Sequence, residues 1–258
     1  MPIDLSSDPA PDLASVDLDY ERFRQLARNA HLSAHERIGF PDHYRDGLEA
    51  KIFADIRSKL PALDQKEKVI VDIGPGCAGL PRLLMDLCAR QGHRLVVVDS
   101  PEMLDQLPDG SHVEKIPGRF PDNVEALQTA IGGFADAILC YSVLHYMFVD
   151  TNLFDVIDRM GALLRPGGRV LIGDIPNNSK RRRFFGSETG RAFHREFMKT
   201  DKDPVVTFLE PDFKKINDAV LSSLVARAQE AGWNGYIVPQ ARELPFSNRR
   251  DDLIIERI

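Results

Sequence analysis

The chain has 258 residues, 43% of them hydrophobic, with 33 basic against 39 acidic side chains and a formal net charge of −6. Such a length and composition fit one globular core domain with helical additions, and the acidic balance is a poor footprint for following a phosphate backbone, so nucleic acid is not expected as a partner. Three cysteines without a C-x-x-C pair argue against a disulfide framework or a thiolate zinc site and favour a reducing, cytoplasmic setting, while no apolar run approaches the ~18 residues of a membrane span, so no membrane partner is expected.

Residues 1–18 are acidic and rich in proline and serine, without a basic or apolar leader pattern, and read as a disordered tail. Helical spacing of Tyr20, Phe23, Ala27 and Ala30, and again of Leu48, Ile52, Ile56 and Leu60, predicts two helices before the first strand. Between them Gly39 and Pro41 interrupt regular structure, so this stretch is either a connecting turn or a flap over a ligand. Residues 19–62 are therefore taken as an N-terminal helical flap.

From residue 63 onward one α/β domain is expected. Short apolar strands alternate with helices (VIVDI, RLVVVD, HVEKIP, ADAILCY and RVLIGDI) in the pattern of a mostly parallel sheet covered on both faces. Right-handed crossovers bring the strand C-terminal ends to one edge, where ligands bind. Residues 176–214, of mixed charge and rich in aromatics and proline, read as an inserted lid. A helix over 215–231 and two antiparallel strands, one near Tyr236–Val238 and DDLIIERI, complete the chain.

The most specific signal is VIVDIGPGCAGLPRLL followed by LVVVD. A strand, a glycine turn at Gly74, Gly76 and Gly79, and a helix present backbone N–H groups to a ligand, and Asp99 at the tip of the next strand can accept hydrogen bonds from ribose hydroxyls. This satisfies a dinucleotide fingerprint as well, so a nicotinamide oxidoreductase stays open. Three features tilt the choice. Asp72, two residues before Gly74, can meet a cationic amino group, which an amino-acid-bearing cofactor has and a pyrophosphate lacks. A Pro-Gly-Gly turn joins a helix to the fifth strand within Leu163–Asp174, and the last two strands finish antiparallel.

With these motifs in this order, the chain resembles the class I S-adenosylmethionine-dependent methyltransferases over roughly residues 66–175. The resemblance implies a Rossmann-like, mostly parallel seven-stranded sheet with an antiparallel last strand and helices on both faces, with S-adenosyl-L-methionine as cofactor. It implies that Asp72, Gly74 and Gly76 hold the methionine part and that Asp99, with Ser100 beside it, meets the ribose. Gly118, Arg119 and Phe120 would lie near the adenine, and Tyr141 and Ser142, with Cys140, would line the site after strand four. Ala78 stands where the family has its third glycine, which puts the detail of the turn in question. More locally, IGFPDHYRDG, YSVLHY and IGDIPNNSKRRRFF look similar to a bacterial methyltransferase group of surface-polysaccharide biosynthesis, which implies a sugar or nucleotide-linked sugar acceptor.

In-line methyl transfer needs an acceptor lone pair about 3 Å from the methyl carbon and little else, although a hydroxyl acceptor benefits from a base. His145 and Asp174 are the catalytic candidates on the predicted edge, each with a plain alternative as a capping or packing residue. Tyr44 is a candidate cofactor contact, while Tyr146, Arg181, Arg182 and His194 are candidate acceptor contacts. The run Lys180–Arg183 would suit a phosphorylated acceptor if it is not simply a solvated face. No histidine spacing supports a metal. The expected partner is a small-molecule acceptor, and a scaffold that binds the cofactor without transfer remains the non-enzymatic alternative.

Overall fold

The computed structural model describes residues 18–41, 47–209 and 213–258. Seven strands form one sheet: β1 (Val69–Ile73), β2 (Arg94–Asp99), β3 (Val113–Pro117), β4 (Ala135–Tyr141), β5 (Leu164–Pro176), β6 (Asn234–Pro239) and β7 (Arg250–Glu256). Their order is β3-β2-β1-β4-β5-β7-β6. The first five run parallel, and β7 lies antiparallel between β5 and β6. The expected mixed sheet with its antiparallel finish is therefore present.

Period-two side-chain alternation divides the apolar strands between two cores. Val71, Ile73, Val96, Val98, Ile138 and Cys140 pack against α6 (Val124–Ile131), α8 (Leu153–Ala162) and α11 (Asp218–Glu230). Ile70, Leu95, Val97, Ala137 and Leu139 face α3 (Glu49–Lys59) and α4 (Gly79–Gln91). Burial on both faces explains why the strands read as continuous apolar runs rather than alternating ones. No helix among the described residues is long and apolar enough to cross a membrane.

The Pro-Gly-Gly segment is not a turn ahead of a strand. Leu164 pairs with Ala135 and Arg169 with Ala137, so residues 165–168 bulge out of β5 itself. Gly167 takes φ +78° there and donates its N–H to the Arg257 carbonyl at 2.7 Å. A bulge of this kind needs one residue free of Cβ strain, and glycine supplies it.

Ahead of the sheet, α1 (Tyr20–Arg28) is capped by Asp19, whose carboxylate accepts from Arg22 N at 2.8 Å. The interval expected as either a connecting turn or a flap contains α2 (Ala34–Arg37), nucleated by a capping box in which Ser33 and Glu36 bond reciprocally. The segment after β5 opens with two helices, α9 (Asn178–Gly186) and α10 (Glu188–Met198). Between β2 and β3 lies the expected helix, α5 (Pro101–Leu104), and after β4 comes α7 (Leu144–Asp150), a helix that the strand-helix alternation did not include.

Candidate functional site

A cleft opens at the C-terminal edge of β1, β2 and β4, roofed by α1 and α2 and lined by 28 residues that include Asp72, Gly74, Gly76, Asp99, Gly118, Arg119, Phe120, Tyr141, Ser142 and Tyr146. Ten residues expected from sequence thus meet at one site. The turn after β1 owes its shape to two left-handed glycines: Gly74 at φ +70° and Gly76 at φ +66°. A Cβ on Gly74 would come within 2.6 Å of Val143, and one on Gly76 within 2.6 Å of Ile38. Ala78, in contrast, sits at φ −80° as the N-cap of α4. A residue with negative φ carries no glycine requirement, so the departure from the family pattern costs the turn nothing.

Asp72 and Asp99 end neighbouring strands and face the cleft. Asp72 is 4% exposed, and no described hydrogen bond reaches its side-chain carboxylate. Burial pushes its carboxyl up to about 8, with the nearby Asp99 charge adding to the effect. Asp99 is also pushed up, to about 6, chiefly by burial, while N–H groups of Ser100 (2.7 Å) and Gly76 (3.0 Å) work the other way. Leaving a buried carboxyl unpartnered costs free energy unless a ligand supplies the missing counter-charge. The pair is therefore suited to a ligand with an ammonium group on the Asp72 side and hydroxyls on the Asp99 side, which are the features of S-adenosylmethionine.

The remaining cleft residues divide by element. Gly118 (φ +125°) and buried Phe120 flank Arg119, whose guanidinium pairs with Asp150 and bonds Thr151 Oγ1 at 2.5 Å. Tyr141 closes β4 against Gly173, where a Cβ would lie 2.3 Å from its ring. Tyr146, on α7, meets Phe23 of α1 edge-to-face at 4.7 Å. Ser100 is not in the cleft lining: it is buried and caps α5 by accepting from Met103 N at 3.3 Å. Its part is to shape the turn that carries Asp99. Tyr44 lies outside the described residues.

Five further candidates are placed away from the cleft lining. The His145 ring lies 3.9 Å from that of its neighbour Tyr146. Asp174 is buried beneath the edge, accepting from Ser142 Oγ and Gln240 Nε2 (3.4 Å) and pairing with Arg250 at 2.5 Å. Arg181 lies over the Phe185 ring at 5.4 Å, Arg182 reaches the Phe208 carbonyl at 3.5 Å, and His194 meets Phe185 edge-to-face at 6.1 Å. Within the same run Lys180 pairs with Asp251 (2.6 Å) and Arg183 with Asp218. Two of the four cations are thus committed to structural ion pairs.

The N-terminal helices contribute further cleft residues: Tyr20 and Phe23, read from the sequence as one helical face, and His35, Ile38 and Glu49, which the sequence reading did not single out. Burial, with the Asp99 charge second, raises the Tyr20 hydroxyl pKa. His35 Nε2 and Glu49 Oε1 lie 2.6 Å apart, both largely buried. The Ser33-x-x-Glu36 box was the readable signal for this helix; the His35–Glu49 contact, spanning 14 residues, had none. Helix α1 is held down by Arg24, which forks onto Glu102 of α5 at 2.9 and 3.0 Å, and by Arg28. The cysteines are inert by environment: burial pushes Cys77 up to about 11 and raises Cys140 further. No cluster of potential metal ligands occurs among the described residues.

Residues 71–172 match the family model described as a methyltransferase domain. An O-methyltransferase family protein from Burkholderia thailandensis superposes with TM-score 0.54 at 18% identity over 93% of this chain, which spans 63% of that structure's length. The N-methyltransferase NodS from Bradyrhizobium japonicum WM9, in complex with S-adenosyl-L-homocysteine, gives TM-score 0.53 at 17% identity, covering 92% of this chain and 95% of that one. The CurJ carbon methyltransferase gives 0.51 at 17% identity, over 92% and 64%. No curated protein matches the chain. Fold and domain match agree: residues 71–172 match a methyltransferase domain, and the chain shares the fold of these methyltransferase structures.

Proposed function

We propose that the chain transfers a methyl group from S-adenosylmethionine to a small-molecule acceptor, with a sugar or nucleotide-linked sugar hydroxyl or amine of polysaccharide biosynthesis as the acceptor class to test first. The observation that carries the cofactor assignment is the buried, unpartnered Asp72 beside Asp99 at the glycine turn. When bound, the cofactor supplies an electrophilic methyl carbon on a sulfonium. Asp72 offers its carboxylate to the cationic amino group, Asp99 accepts from ribose hydroxyls, and Gly118 to Phe120 wall the adenine side. Tyr20, Phe23 and Tyr146 exclude water from above.

The fold does not choose the acceptor atom, since neighbours of nearly equal similarity are named for oxygen, nitrogen and carbon methylation. Sugar acceptance rests on the local sequence resemblance of residues 38–47, 141–146 and 172–185. For proton removal, Asp174 already serves Ser142 and Arg250. The His35–Glu49 pair, hydrogen-bonded and in the cleft, is the better-placed acid–base group. An amine acceptor would need neither.

Calorimetric titration with S-adenosylhomocysteine beside NAD⁺ and NADH tests the cofactor. Micromolar binding of S-adenosylhomocysteine alone is expected, and binding of NAD(H) alone would overturn the reading. A screen of sugar nucleotides and amino sugars, read as S-adenosylhomocysteine formed, then tests the acceptor. Binding without product from any acceptor class would favour the scaffold alternative.

A further inference from the structure

Where α9 leaves β5, guanidinium groups and phenylalanine rings alternate. Arg181 lies over the Phe185 ring at 5.4 Å and Arg249 over the same ring at 5.7 Å. Arg249 also lies over the Phe246 ring at 4.3 Å, and Arg250 over that ring at 5.3 Å. All four distances fall within the ~6 Å at which a cation is drawn to an aromatic face. The ladder joins α9 to the turn ahead of β7. That turn holds Phe246 at φ +66°, a left-handed conformation that strains any bulky residue, and Arg249 N closes it by donating to the Phe246 carbonyl at 2.8 Å.

The charges around the ladder do not cancel. Lys180 is matched by Asp251, Arg183 by Asp218 and Arg250 by Asp174, while Asp252 beneath is matched by Lys59. Arg181 is different: it is exposed, and its guanidinium meets the Phe185 ring rather than any described carboxylate. Arg249 bonds the neutral Asn248 Oδ1 at 3.0 Å. A local excess of cations thus gathers on the two rings, in a chain where acids outnumber bases 39 to 33.

We infer that this ladder of Arg181, Phe185, Arg249 and Phe246 is the anchoring subsite for the diphosphate of a nucleotide-linked acceptor. A guanidinium that sets its face on a ring keeps its in-plane N–H donors for oxygen partners, and the rings fix the direction of those donors. Phosphoryl groups match such forks with several oxygens and more than one negative charge, whereas a lone carboxylate offers two oxygens and one charge. The position also fits. Strand β7 runs antiparallel to β5, so Arg249 and Arg250 lie at the sheet edge that bears the cleft. Arg250 bonds Asp174, and Asp174 accepts from Ser142 of the cleft wall. Two strand spacings separate β7 from β4, about 10 Å at ~4.8 Å each, so a ligand held by its diphosphate extends its sugar towards the cleft. The role in acceptor binding rests on the methyl-transfer reading above; the anion site itself does not.

The test is calorimetric titration of the full chain with inorganic pyrophosphate, with and without saturating S-adenosylhomocysteine, and with acetate at matched ionic strength as the carboxylate control. Saturable pyrophosphate binding with a Kd below about 1 mM is expected, unchanged by S-adenosylhomocysteine and at least about tenfold tighter than acetate. Arg181→Gln and Arg249→Gln should each weaken it about tenfold. Lys199→Gln, which removes the same charge from the end of α10, should change it less than about twofold. None of the three should alter S-adenosylhomocysteine affinity. If Arg249→Gln lowers the thermal midpoint, the exposed Arg181→Gln decides alone. Absent pyrophosphate binding, equal affinity for acetate, equal losses in all three variants, or competition with S-adenosylhomocysteine would each overturn the subsite. Pyrophosphate binding at the ladder by a chain that does not bind S-adenosylhomocysteine would keep the anion site and overturn the methyl-transfer reading instead.

Discussion

Ser142, the residue after β4, donates its hydroxyl to the carboxylate of Asp174 near the end of β5, and both hold left-handed backbone, at φ +62° and φ +58°. Such conformations cost about 1–3 kcal/mol each without glycine. They are offset here by a dense set of bonds: Ser142 N donates to Gly173 O at 2.9 Å, Asp174 N donates to Asp252 Oδ1 at 2.8 Å, and Arg250 donates to the Asp174 carbonyl at 3.1 Å.

Replacing Asp174 with Ala should therefore act on stability. Ser142 and Arg250 lose a buried acceptor, at a cost of about 2–4 kcal/mol, readable as a lower urea midpoint with unchanged slope. S-adenosylhomocysteine affinity, measured where the variant is fully folded, should change little. Full stability with loss of methyl transfer would instead place Asp174 in the chemistry.

Asp72 links cofactor binding to protons. Its folded carboxyl, raised from 3.8 to about 8, gives a stabilising contribution present below pH 3.8 and lost progressively as pH rises through about 8; Asp99, raised to about 6, acts in the same direction over a shorter window. An ammonium group brought beside Asp72 favours the ionised form, so S-adenosylhomocysteine binding near pH 7 should release protons. Calorimetry in buffers of different ionisation heat measures that release. Asp72→Asn should abolish it, weaken binding at least about tenfold, and flatten the loss of stability towards alkaline pH.

Gly161 of α8 meets Trp233 so closely that an added Cβ would lie 2.1 Å from the indole ring. Gly161→Ala raises helix propensity yet should destabilise by about 1–3 kcal/mol through overpacking. Trp233→Leu in the same chain should recover part of the loss, a non-additivity visible in thermal unfolding.

The Arg24–Glu102 fork holds the roof over the cofactor cleft. Hydrogen bonding from Arg24, with Arg28 assisting, lowers the Glu102 carboxyl to about 2, so the contact is present above its ordinary pKa near 4.5 and lost as pH falls towards 2. Partly exposed ion pairs contribute modestly, about 1 kcal/mol at most. Glu102→Gln should weaken S-adenosylhomocysteine binding up to about fivefold, with little change in the denaturation midpoint of the sheet. Unaltered affinity would mean that the roof closes without this fork.

Local chemistry alone determined a good deal. Continuous apolar runs of strand length required a doubly covered sheet, and G-x-G after a strand required a tight turn with left-handed glycines beside Asp72; both depend on residues within a few positions of one another. Helix α2 was equally local, in the Ser33–Glu36 box. Tertiary structure decided what depends on distant partners. It sank Asp174 into a network with Ser142, Arg250 and Asp252, turned Ser100 into a cap, and committed Lys180 and Arg183 to Asp251 and Asp218. It also brought His35 to Glu49 and set Arg181 and Arg249 on the Phe185 ring. Charge and polarity announce that a side chain needs a partner, but the partner is chosen by how strands and helices return through space, and no pattern along the chain encodes those distances directly.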